Sequence, residues 1–146
     1  NWFKPCGPQS AVQPDRTDIP PAQAVLIDGP DALTAITSNP EAIPADCWFI
    51  TPDHVGRQLG LGWAVAVQEV LTSLSAGWHL IADCGNSAGD AAHAISLGLP
   101  GTVFYGDDLD ENAKADVAER LSSMAEQRGT VFLSQRPAVQ PAFHTP

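Results

Sequence analysis

The chain has 146 residues, with 17 Asp and Glu against 7 Lys and Arg and a formal net charge of −10. That length suits one domain with its own core, and an acidic surface without a basic stripe speaks against nucleic-acid or anionic-lipid partners. No membrane insertion is expected, because the longest apolar stretch, Trp63 to Val67, falls far short of the roughly 18 residues a span needs and is flanked by Arg57, Gln58, Gln68 and Glu69.

Residues 1–22 hold Pro5, Pro8, Pro14, Pro20 and Pro21 and read as an extended arm, since proline removes backbone donors and favours open chain. Ala24–Asp28 is a first short apolar run, a strand closed by Asp-Gly. Pro30 then fits a first helical position, and Asn39-Pro40 stops that helix. Cys47–Thr51 is the second strand. Thr51 or Asp53 can cap a helix running to about Ala76 and ending at Gly77. Gly56, Gly60 and Gly62 lie near its start and permit close packing, on the sheet or on a second subunit. Trp78–Asp83 is the third strand. Asn86 or Ser87 caps the third helix, which Gly98 closes. Thr102–Gly106 is the fourth strand. Asp110 caps the fourth helix, which Gly129 ends. Thr130–Ser134 is the fifth strand, and Pro137, Pro141 and Pro146 mark a tail like the arm.

Short, continuous apolar strands alternating with helices predict an α/β domain with a parallel sheet. Five βα units are too few to close an eight-stranded barrel. The expected form is therefore an open five-stranded sheet of flavodoxin-like order 2-1-3-4-5, with helices on both faces. The expected organisation is an arm over 1–22, one domain over 23–135 and a tail over 136–146.

Ligands of such sheets bind outside the carboxyl ends of the strands, and here those ends are rich in Asp. Asp28, Asp83 and Asp107 (or Asp108) form a candidate site for a divalent cation, Mg2+ by the hardness of its ligands; alternatively each caps a helix or turn. Gly85, Asn86 and Ser87 form a turn whose backbone N–H groups could face an anion. No complete phosphate-binding motif is present there, and Asp83 and Asp90 flank it, so the glycines can equally serve turn and packing. Cys84 is a candidate nucleophile with His54 or His93 as its base, His54 being the one on the strand-end edge, and Asp83 beside it opposes a thiolate; the alternative is a buried, inert thiol. Ser87 is not in G-x-S-x-G.

Three cysteines without C-x-x-C form neither a disulfide framework nor a zinc ribbon and suit a reducing, cytoplasmic setting. The first residue, Asn1, points to a processed or truncated start. The apolar residues Trp2, Phe3, Val12, Ile19, Val139 and Phe143 punctuate the two Pro-rich stretches. Such spacing suits a non-catalytic interaction module whose arms dock on a protein partner or a second copy. The alternative is a small enzyme or ligand-binding domain acting at the carboxylate edge.

Overall fold

The computed structural model describes residues 23–141, so the expected arm over 1–22 and the last five residues of the expected tail lie outside the described residues. Among the described residues six strands form one all-parallel sheet: β1 (Gln23–Leu26), β2 (Cys47–Ile50), β3 (Trp78–Asp83), β4 (Gly101–Val103), β5 (Val131–Leu133) and β6 (Ala138–Gln140). Five helices connect them: α1 (Pro30–Ser38), α2 (Val55–Gln58), α3 (Leu61–Leu74), α4 (Ala88–Ser96) and α5 (Glu111–Arg128).

The strand order is β5-β4-β3-β2-β1-β6, which corrects the expected 2-1-3-4-5. Each of the first five strands lies beside its predecessor in the chain, as consecutive strands of a barrel do. Right-handed crossovers that always advance the same way put every helix on one face. The core agrees. Val25, Phe49, Leu80, Ala82 and Phe104 pack with the buried residues of all five helices in one cluster. A second cluster, made of strand and strand-end residues alone, holds Ala24, Trp48, Ile50, Ile81, Val103 and Val131. The expectation of helices on both faces is therefore corrected too. Both faces of the central strands β2, β3 and β4 are nonetheless largely apolar and buried, which is why those runs read as doubly covered.

The short tie between the sheet's two edge strands gives it its shape. Only Ser134–Pro137 separates β5 from β6, yet these strands stand at opposite ends of the sheet order. Five strand spacings of about 4.8 Å make about 24 Å if the sheet is flat. The connecting chain reaches at most about 18 Å. The sheet must therefore curl, with the helices on its convex side and the strand-only cluster on its concave side. The segment 134–137 then passes over the carboxyl ends of the strands. The stretch expected to leave the domain at Arg136 instead adds an edge strand, with Gln23, Ala24 and Val25 opposite Ala138, Val139 and Gln140.

Local signals set the helix ends. Pro30 begins α1, Ser87 Oγ accepts from Asp90 N at 3.1 Å, and Asp110 Oδ1 accepts from Ala113 N at 2.8 Å. Gly129, at φ 70°, closes α5. The single long second helix expected from sequence is two helices. Gly60, at φ 89°, breaks it between α2 and α3 in a conformation that only glycine adopts without strain.

Candidate functional site

Alternation along β3 decides what reaches the mouth of the curled sheet. Trp78, Leu80, Ala82 and Cys84 join the helix-side cluster, while Ile81 joins the concave one. Asp83 follows Ile81 by two residues and shares its face. A carboxylate thus arrives at 0% exposure, where it needs a full set of donors. It has them. Oδ1 accepts from Gly85 N at 2.9 Å. Oδ2 accepts from the Tyr105 hydroxyl at 2.5 Å and from Arg136 Nη1 at 2.6 Å. Asp83 N donates to Thr51 Oγ1 at 3.0 Å, tying β3 to the end of β2.

Tyr105 stands two residues beyond Val103 on the same concave side. Its backbone N donates to Gly85 O at 2.8 Å, which fixes the turn after β3 against the turn after β4. Burial, and then the hydrogen bond and charge of Asp83, raise the phenol pKa well above the ordinary tyrosine value. Arg136 reaches Asp83 because segment 134–137 crosses the mouth. The Arg136 side chain stays 25% exposed while one of its N–H groups is spent on Asp83.

Above this triad lies an open cleft of about 310 Å3, lined by Tyr105, Asp107, Lys114, Ser134, Gln135 and Arg136. Lys114, on α5, pairs with Asp107 at 3.5 Å across the rim. Asp107 N in turn donates to Asn86 Oδ1 at 2.8 Å.

The residues singled out from sequence fall in different places. Asp83 is the structural centre of the mouth, and Asp107 is on its rim. Asp28 is exposed beyond β1. Among the described residues no three His, Cys, Asp or Glu side chains are grouped to hold a metal ion, and both oxygens of Asp83 are already engaged by donors.

Cys84 lies on the helix side at 0% exposure, its thiol 3.4 Å from Thr102 Oγ1. Burial pushes that thiol up to about 12, against a Thr102 hydrogen bond that lowers it and the Asp90 and Asp83 charges that raise it further. Its side chain is packed in the helix-side core. His54 adopts a left-handed conformation, φ 54°. Its ring covers Gly85, where any side chain would collide with the imidazole, and it meets Tyr105 edge-on at 6.3 Å. It packs on Gly85 and Tyr105, whereas the Cys84 thiol meets Thr102 Oγ1 and Ala82 O. The turn Gly85–Ser87 spends its groups internally: Gly85 N on Asp83, Asn86 Oδ1 on Asp107 N, and Ser87 Oγ on capping α4.

Sequence reasoning singled out none of Tyr105, Lys114 and Arg136 as site residues. Tyr105 was within reach, because it keeps the alternation of Val103 past the end of β4. Arg136 was not, because its place depends on β6, three residues between Pro137 and Pro141.

No protein-family model and no curated protein sequence matches this chain. Among solved structures, the chain is similar to that of a "putative fructose-1,6-biphosphate aldolase" from Coccidioides immitis. The TM-score is 0.63 at 10% sequence identity, over 75% of this chain and 44% of that one. The chain therefore spans less than half the length of that protein, and the likeness is one of fold. Among the described residues no helix is long and apolar enough to cross a membrane.

Proposed function

We propose that the chain binds a small neutral polyhydroxylated molecule, a sugar or polyol, in the cleft at the carboxyl ends of its strands. The observation that carries this reading is the charge-balanced polar lining. Arg136 is matched by Asp83 and Lys114 by Asp107, with Ser134, Gln135 and the Tyr105 ring completing the wall. Hydroxyl-rich ligands satisfy such donor and acceptor mixtures at once, whereas an apolar ligand strands them unpaired. An anion gains little from cations that are already neutralised, on a chain whose net charge is −10. The volume sits at the low end for small-molecule sites. Fructose 1,6-bisphosphate, the compound named in the aldolase's description, carries two phosphates, and this rim favours the uncharged sugar instead.

Isothermal titration with ribose, glucose, fructose and glycerol, each beside its phosphate, tests the reading. Heat of binding with a neutral member, weaker for its phosphate, is expected. Silence across the panel, or tighter binding of the phosphates, contradicts it.

A role in docking a protein partner or a second copy is a second proposal, favoured by β6. This edge strand leaves Ala138 and Val139 exposed, and its outer side pairs with no strand among the described residues, a template for an added strand. Light scattering over a concentration series tests the self-association form. A mass that stays monomeric throughout argues against it.

A further inference from the structure

The hydrogen-bond polarity of the Asp83 triad is fixed by its partners. Arginine and a backbone N–H can only donate. Arg136 Nη1 and Gly85 N therefore hold Asp83 as an acceptor on both oxygens. Oδ2 then has to receive the Tyr105 proton rather than give one. With its proton committed, the phenol oxygen offers the cleft lone pairs only. The guanidinium beside it carries further N–H groups besides the one on Asp83 and offers donors only. Both groups bond the same carboxylate oxygen, so Tyr105 Oη and Arg136 Nη1 lie no more than about 5 Å apart. One acceptor and one set of donors therefore stand side by side on the wall of one cleft.

We infer that Tyr105 and Arg136, oriented by Asp83, select a ligand that carries a hydroxyl donor next to an oxygen acceptor, as a vicinal diol or an α-hydroxy carbonyl does. The inference rests on the sugar-binding reading above and names the feature of the sugar that is read. Tyr105 and Arg136 are the contacting groups; Asp83 is a positioning residue, which meets the ligand only through them. A ligand hydroxyl donates to Tyr105 Oη, and its neighbouring oxygen accepts from Arg136. Replacing that hydroxyl by a methoxy group leaves the phenol oxygen facing an acceptor, with no proton between them.

Two measurements test this, and they fail separately. Tyr105 is the only tyrosine in the chain, so tyrosinate absorbance reports on it alone. In the folded protein the phenol should ionise above the ordinary value of about 10. Asp83→Asn should bring ionisation down, because it removes the carboxylate that holds the proton and frees Arg136 to favour the phenolate. Ionisation of folded wild type at the ordinary value overturns the fixed polarity, whatever any sugar does.

The second measurement titrates ribose and its single O-methyl ethers. Wild type should bind one ether about tenfold more weakly than ribose, the size of one lost hydrogen bond. Tyr105→Phe, which keeps the ring and leaves Asp83 its other two donors, should bind ribose and that ether alike. Equal affinity of wild type for ribose and every ether overturns the selection. If no neutral sugar from the panel binds, the site reading falls and the selection with it, while the tyrosinate titration still decides the polarity of Tyr105.

Discussion

Asp83 shows how a single buried charge organises this molecule. Its partners come from the next turn (Gly85), the next strand end (Tyr105) and a segment 53 residues away (Arg136). Removing one partner of a buried ion pair leaves the other charge uncompensated, at a cost of about 3–5 kcal/mol. Arg136→Ala should therefore lower unfolding free energy by about 3 kcal/mol in urea denaturation, and a loss under about 0.5 kcal/mol, the size of a surface pair, would contradict the buried geometry. The buried thiols make a second residue-scale prediction. Burial pushes both Cys47 and Cys84 up from 9.0 to about 12. A group that loses its proton less readily when folded stabilises the fold fully below its unfolded pKa, and that stability declines as pH rises through the folded value. Stability should therefore fall between about pH 9 and pH 12, with Tyr105 adding to the decline from about pH 10 upward. Denaturation curves at stepped alkaline pH read this directly; a flat profile over that range contradicts it. At neutral pH, mass-spectrometric mapping should find neither Cys47 nor Cys84 alkylated in the native protein.

At the scale of elements, helix ends were legible because capping is local chemistry: Pro30, Ser87, Asp110 and Gly129 act within a few residues of themselves. Asp110→Ala should cost α5 about 1 kcal/mol by removing the acceptor for Ala113 N, measurable as a lower denaturation midpoint; no change means that the cap does not hold α5. The break between α2 and α3 was not legible. Glycine spacing announces freedom, and whether Gly60 uses it for a close approach or a turn depends on what the neighbouring helix packs against. β6 was hidden for a similar reason. Three residues between prolines carry no period, and they become a strand only because β1 presents an unpaired edge there.

For the whole molecule, the composition of each strand indicated a parallel sheet buried on both faces, and that held. Strand order was out of reach, because an open doubly wound sheet and a curled sequential one bury the same runs. What differs is the cover: helices on both sides in one case, and in the other helices outside and the strands' own side chains inside. The concave cluster of Trp48, Ile50, Ile81, Val103 and Val131 is the mark of the second. Curling also gathers the mouth. It brings segment 134–137 over the end of β3 and joins Arg136 to Asp83. Half of the candidate site was therefore readable as an Asp-rich edge, and the place of Arg136 depended on topology. The most direct test of that mouth as a sugar site is to follow backbone amide NMR shifts while adding ribose. Saturating changes confined to Tyr105, Asp107, Lys114 and residues 134–136 are predicted. Shifts absent there, or spread over the helix-covered face instead, contradict the account.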